Sequence, residues 1–300
     1  MFDKFKRKGG AQTRMTTAEV SSRAGKRIIN DSEDAEDAVK QRIIDRIGCS
    51  ATEAESVYTD IVTLMQSADL TYNFLPETIF SSMPANQLQN VFERKHMGAN
   101  YMNSRDRVED GLFQYSYPES DFLNVQDVID RMRKKGSYQG GNNSSFDPRI
   151  RPKYGALNIF NLREGGAGNS TYGQSHFIFK DYVKHRCTFT SDDSFNIEGA
   201  DPAGRLANIF YLDKIIMELS DPTFSVLCSS VTNIQLRPGD VSDLLYIEAQ
   251  IHSEILLSRD VKKIRLSQWE LALDSPEGKD IIENIALLAC KYGIPVEVFN

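Results

Sequence analysis

Between residues 34 and 68 the apolar side chains recur at helical spacing. Val39, Ile43, Ile44 and Ile47 fall near one face, and Gly48 follows as a stop. Ser50 with Glu53 fits a capping box for a second helix, whose stripe is Val57, Ile61, Leu64 and Met65. The pair predicts a helical hairpin packed on the rest of the chain. Residues 70–75 then read as a strand stopped by Pro76, and residues 85–94 as a helix. Residues 104–118 mix charges with aromatics, and residues 122–135 return to helical spacing, ending in a run of Arg and Lys. Residues 136–148, GSYQGGNNSSFDP, predict a loop that either covers a site or connects two elements.

From residue 151 onward the pattern turns to strands. Residues 154–162, 174–183, 186–190, 224–229 and 231–236 are enriched in β-branched and aromatic side chains. Asp201 and Pro202 predict the start of a helix carrying Leu206, Ile209, Phe210, Ile216 and Leu219. Around residues 245–252 the period is two, with Leu245, Ile247, Ala249 and Ile251 on one face and Tyr246, Glu248, Gln250 and His252 on the other. Two helices are expected after Leu257, the last opening at Ser275 and Pro276 and ending at Gly293 and Pro295. The fold class is therefore α+β, a mixed, mainly antiparallel sheet with flanking helices and a small helical N-terminal region. Three parts follow: a polar mobile arm over 1–33, a helical region over 34–68 and a main domain over 69–300.

Charge narrows the partners. A net charge of -7 argues against a general nucleic-acid binder, whose affinity for a polyanion needs many clustered cations. No apolar run is long enough for a membrane span, and the basic start MFDKFKRKGG lacks the apolar stretch of a signal peptide. The expected location is the bacterial cytoplasm, with translocation by a specialised secretion system left open. Cys49, Cys187, Cys228 and Cys290 have no zinc-like spacing, and neither do the four histidines, so no metal is expected. Oligomeric state has no signature in the sequence.

Candidate chemistry gathers on two strands. Glu248 and Gln250, two residues apart, can reach one ligand, the carboxylate accepting a sugar hydroxyl and stabilising an oxocarbenium-like cation. His252 would add a proton-transfer group on the same face. The wet face of a half-buried antiparallel strand produces the same alternation. On the RCTFTSDDS stretch, Arg186, Thr188 and Thr190 share a face and would make a cradle for a phosphate or ribose, or a solvated row with cross-strand threonine pairs. Cys187 near His176 and His185 raises a thiol nucleophile, although its place on the apolar face favours packing. The glycine-rich REGGAGNSTYG at 163–173 matches neither a dinucleotide fingerprint nor a P-loop and reads as a long, flexible hairpin loop.

RPKYGALN at 151–158, YGQSHFIFK at 172–180, RCTFTSDDS at 186–194 and YIEAQIH at 246–252 together resemble an uncharacterised bacterial family, a domain of unknown function with RPKYGALN, FGSCHF, TTFT-x-x-DS and EAQVHG blocks in that order. LTYNFLP near residue 70 and SRDRVEDGLF near residue 104 resemble its earlier blocks. The succession of a basic strand, a hydroxyl-bearing strand and a Glu-x-Gln strand is in turn similar to the scheme of mono-ADP-ribosyltransferases. That resemblance implies NAD as substrate and a protein target, of a host cell where the chain is a translocated effector. It implies Arg151 or Arg186 on the NAD phosphates, with Tyr154, Gly155, Ser175 and His176 lining the same site. Thr188 and Thr190 would support the nicotinamide side, with Glu248 on the ribose and Gln250 and His252 beside it. Gln250 stands where the transferase scheme carries its second glutamate. The alternative function is a non-catalytic module that binds a partner through its helical N-terminus.

Overall fold

The computed structural model describes residues 28, 35–94, 97–113, 149, 151–167, 171–197, 202–232, 246–271 and 275–300. The arm over 1–33, except Ile28, the helix expected at 122–135 and the loop at 136–148 lie outside them.

Two helices come first, α1 (Glu36–Ile47) and α2 (Ala51–Ser67). Gly48 closes α1 in the left-handed conformation at φ 69°, which a residue without Cβ adopts at little cost. Ser50 and Glu53 form the reciprocal capping box, so two otherwise orphaned N–H groups are satisfied. Strand β1 (Asp69–Asn73) leads into α3 (Pro76–Phe80), β2 (Gln87–Leu88), α4 (Val91–Arg94) and α5 (Ala99–Phe113). Then come β3 (Lys153–Asn158), β4 (His176–Phe179), a 3-10 helix Asp181–Arg186 and β5 (Cys187–Thr190). Helices α6 (Asp213–Glu218) and α7 (Asp221–Val231) precede β6 (Ile247–Ile251), β7 (Ile255–Leu256), the single turn α8 (Leu257–Asp260), β8 (Val261–Ser267), α9 (Pro276–Tyr292) and β9 (Val296–Phe299).

Seven strands form one sheet in the order β5-β6-β3-β1-β4-β8-β9, antiparallel throughout except for the β8/β9 pair; β2 and β7 make a separate ladder. This is the expected α+β class with a mixed, mainly antiparallel sheet. Its register sorts the side chains into two faces, because residues directly opposite each other project to the same side. Leu70 pairs with Leu157 and that with Ile247; Tyr72 pairs with Phe177 and that with Ile264; Phe189 pairs with Ala249. These make the apolar face, and Val39, Ile43, Ile61 and Met65 of the first two helices, Phe224 and Leu227 of α7 and Ile281, Ile285 and Leu288 of α9 share its core. Arg42 ties α1 down by donating to the carbonyls of Ile216, Met217 and Leu219.

The opposite face carries most of the polar side chains, with Ala156 and Ile178 interspersed among them. Thr71, Ala156, Glu248 and Thr190 form one row across four strands, and Tyr154, Gln250 and Thr188 the next. Asn73, His176, Arg265 and Glu297 continue it toward the other edge. At the β5 and β6 end this face is buried, with Thr190 and Gln250 at 0% exposure.

Four expectations need correction. Of the helix expected at residues 85–94 only Val91–Arg94 is helical, because Gln87 and Leu88 pair as a strand with Leu256 and Ile255. Residues 224–229 are helical, not extended: Ser220 caps α7 by accepting from Thr223 N–H, Pro222 sits in its first turn, and Phe224, Leu227 and Cys228 are buried at three- and four-residue spacing. Of the strand expected at 231–236, Val231 ends this helix and residues 233–236 lie outside the described ones. The single helix expected from Asp201 is broken into a 3-10 turn Pro202–Arg205 and α6. Between them Ala207 pairs with Phe189, and the Asn208 side chain accepts from the N–H groups of Phe210 and Tyr211, giving the backbone a turn in place of a helix. After Leu257 there is one turn of helix and then β8, whose buried Val261, Ile264 and Leu266 belong to the sheet core, so the two expected helices reduce to one long helix, α9.

Candidate functional site

Glu248 is held by three strands' worth of pairing, opposite Ala156 of β3 and Thr190 of β5. Its Oε1 accepts from Gln250 Nε2 at 2.9 Å and from Ser194 N–H at 3.3 Å. That second donor stands at the start of a 3-10 turn, Ser194–Asn196, which Asp193 caps by accepting from Phe195 N–H. Burial pushes the Glu248 carboxyl up to about 7, against the opposing pull of the Arg105 charge and of the bonds from Ser194 and Gln250. It is therefore a carboxyl poised to exist in both protonation states near neutrality.

Behind it runs a directed chain of hydrogen bonds. His252 Nε2 is 2.9 Å from Thr188 Oγ, Thr188 donates to Gln250 Oε1 at 2.9 Å, and the Gln250 amide donates to Glu248 and to Thr190 Oγ at 2.9 Å each. Thr190 passes its own hydrogen to the Asp192 carbonyl at 2.8 Å. Because a hydroxyl has one hydrogen, Thr188 donating to Gln250 requires His252 to donate from Nε2, the neutral Nε2–H tautomer. Burial, with Lys153 second, pushes the His252 ring down to about 4, so it is neutral at ordinary pH. Gln250, Thr188, Thr190 and His252 thus orient Glu248 from behind the surface it presents.

That surface is one wall of a cleft of about 350 Å³. Tyr154 and Gly155 of the expected set also line it, together with Tyr101, Arg105, Tyr172, Asp193, Phe195 and Tyr246. Arg94, Arg105 and Lys153 are the cationic side chains lining the cleft, and Arg105 comes from α5, where its charges had been read only as part of a mixed segment. Its guanidinium carbon lies 3.5 Å from the Tyr154 ring centroid and 5.8 Å from that of Phe195. One turn on, Glu109 accepts from Tyr154 Oη at 2.6 Å and from Arg151 Nη1 at 3.0 Å. Burial raises the Glu109 carboxyl against the pull of Arg151, Arg105 and the tyrosine. The spacing of Arg105 and Glu109, four apart on one helical face, was the available signal.

The remaining expected residues are not at the cleft. Arg151 is held by Glu109 and Asp106, with Phe92 under its guanidinium at 4.7 Å. Arg186 closes the 3-10 helix before β5 and is turned to Asp260, 3.1 Å away, and to the Glu254 carbonyl, so it does not share a row with Thr188 and Thr190. Ser175 accepts from Ser267 N–H, binding β4 to the end of β8. His176 points its Nδ1 at the Gln174 carbonyl and lies beside Phe299; burial lowers its pKa. Cys187 is buried, its thiol directed at the Val183 carbonyl and pushed up by desolvation, which removes the thiol-nucleophile reading.

The glycine-rich stretch is laid on the polar face of the sheet. Asn73 donates to the carbonyls of Glu164 and Gly173, and Thr71 Oγ accepts from Gly166 N–H. A Cβ on Gly166 would stand 2.9 Å from that of Ala156, so the close approach needs glycine, and the flexible hairpin expected there is anchored on both sides of residues 168–170. Its Ala167, Thr171 and Tyr172 also line the cleft.

Residues 82–226 match the family model described as Protein of unknown function (DUF3626). Over this span the chain is similar to an uncharacterised domain-of-unknown-function family, as the ordered blocks led us to expect. The DUF3626 span takes in Arg105, Glu109, Tyr154, Thr188, Thr190 and the glycine-rich stretch, and stops before β6 with Glu248, Gln250 and His252. No curated protein matches the chain. No described helix is long and apolar enough to cross a membrane, and among the described residues no group of three or more His, Cys, Asp or Glu side chains could hold a metal ion.

Proposed function

We propose that this chain is an ADP-ribosyltransferase-like enzyme that uses NAD to modify a protein, in the manner of a translocated bacterial effector. The observation that carries the reading is Glu248, a buried carboxyl held by Gln250 and Ser194 and lining an aromatic-walled cleft that Arg105 also lines. The cleft volume lies within the roughly 300–1,000 Å³ of small-molecule sites. In the reaction the bond between ribose C1′ and the pyridinium nitrogen breaks, its electron pair leaves on neutral nicotinamide, and the Glu248 carboxylate stabilises the oxocarbenium-like sugar. The acceptor side chain then bonds to C1′ and releases its proton. Gln250 holds Glu248 rather than replacing it as a second acid, and Arg105 takes the anion-facing place first expected of Arg151 or Arg186.

The alternative, partner binding through the helices of residues 34–68, has less support. Val39, Ile43, Val57, Ile61 and Met65 are already committed to the core beneath the sheet, leaving no apolar stripe on that hairpin for a partner.

The test is nicotinamide release from NAD by the purified chain, with and without cell lysate, using Glu248→Gln as control. Lysate-dependent release that disappears in the variant supports transfer. Absence of release from the folded wild-type chain, together with no thermal shift at millimolar NAD, refutes it.

A further inference from the structure

Arg105 is 4% exposed and poorly satisfied for so buried a guanidinium. Of the five N–H donors such a group carries, one makes a hydrogen bond among the described residues, from Nη2 to Ser194 Oγ at 3.3 Å. Its Nε is buried without a hydrogen-bond partner and stands 3.5 Å from Glu109 Oε1. Glu109 Oε1 accepts from Tyr154 at 2.6 Å and its Oε2 from Arg151 at 3.0 Å, and it meets Arg105 as an ion pair rather than through a hydrogen bond. A buried cation with donors left over is costly unless something else accepts from them, and here the side chain lines a cleft.

Flat groups flank it. The Tyr154 ring lies against one side of the guanidinium, and Phe195 is near it on the way to Tyr101. The Tyr101 and Phe195 rings are nearly parallel, 8° apart with centroids separated by 5.7 Å, both exposed and both lining the cleft. A planar ring can extend such a pair, as bases do on aromatic platforms.

We infer that the cleft binds a nucleotide, with Arg105 holding its phosphate and the Tyr101 and Phe195 pair supporting its base. Arginine suits the role because its planar fork matches phosphate oxygens two at a time. The inference rests on the proposed function only for the ligand being a dinucleotide; it requires no transfer step.

Isothermal titration calorimetry on the full chain tests it with three probes: ADP-ribose, inorganic pyrophosphate and nicotinamide riboside, which has no phosphate. ADP-ribose and pyrophosphate are expected to bind and to compete, with nicotinamide riboside much weaker. Arg105→Gln is expected to weaken ADP-ribose roughly 10- to 100-fold, the range for a hydrogen bond to a charged group. Phe195→Leu, at an exposed ring, is expected to weaken ADP-ribose while leaving pyrophosphate unchanged. Unaltered ADP-ribose affinity in folded Arg105→Gln overturns the inference. So does failure of pyrophosphate to displace ADP-ribose from the wild-type chain, an outcome that needs no variant to fold. Nicotinamide release is followed in parallel. Binding through Arg105 without release sinks the transferase reading and leaves this one, whereas release undiminished in Arg105→Gln does the reverse.

Discussion

Replacing Glu248 by Gln should change the pH dependence of stability more than the stability itself. The folded carboxyl titrates at about 7, against 4.5 for the free side chain. Its folded pKa is raised, so its contribution is fully present below 4.5 and is lost as pH rises through about 7, where the buried charge must form. At roughly 1.4 kcal/mol per tenfold change in proton affinity, the gap amounts to roughly 3 kcal/mol of stability lost by the wild type across that window. The glutamine side chain of the variant keeps an oxygen that can accept from Gln250 and from Ser194 N–H, the two donors that Glu248 satisfies now, and it has no charge to bury. The variant should therefore match the wild type near pH 4 to 5 and exceed it by roughly 3 kcal/mol above pH 8. Urea unfolding of both proteins at a series of pH values measures this, and taking the difference cancels every group the substitution leaves alone. A difference that stays flat across the range would mean that Glu248 is ionised at its ordinary pKa, and the account of a poised carboxyl would fail.

Three further outcomes follow from the same geometry. Thr188→Val keeps the side-chain shape but strands Gln250 Oε1 and His252 Nε2 in a buried environment, and should cost about 2–6 kcal/mol in urea unfolding, at roughly 1–3 kcal/mol per unpaired buried group. His252 should stay neutral, as the Nε2–H tautomer, until the pH falls to about 4, as read by nitrogen-15 NMR of the ring; its folded pKa is lowered, so its contribution is present above 6.5 and lost as pH falls through about 4. Gly155→Ala would place a Cβ 2.4 Å from the Thr71 carbonyl oxygen, forcing β1 and β3 apart, and should lower stability by about 1–3 kcal/mol without changing any group that faces the cleft with a charge.

Where a local signal and the tertiary fold agree, the sequence was legible. The capping box at Ser50, the left-handed stop at Gly48 and the Ser275, Pro276 and Gly293 punctuation of α9 are decided within a few residues, and each is where the pattern put it. The two faces of β6 were equally readable, since a period of two admits one arrangement once one face is buried. Propensity failed where a cap outweighed it. Phe224 and Val226 favour strands, yet Ser220 and Pro222 start a helix whose buried face they then fill. In the same way VKKIRLS carries enough Lys and Arg to look helical, and only its pairing with β4 and β9 makes it a strand.

The site itself divides along the same line. Glu248, Gln250, Thr188, Thr190 and His252 could be grouped from sequence because pairing across β5 and β6 converts alternation on each strand into adjacency in space. The cation could not. Arg151 and Arg186 were placed with Glu248 because they flank the same strands, but a side chain at a strand entrance answers to whatever packs beside it. Arg151 meets Asp106 and Glu109 of α5, and Arg186 meets Asp260 of α8. Glu109 is shared: Arg151 bonds its Oε2, while Arg105 Nε lies 3.5 Å from its Oε1. The strand arginine therefore touches the site at one remove, through a carboxylate it shares with Arg105, and periodicity carries no trace of that sharing.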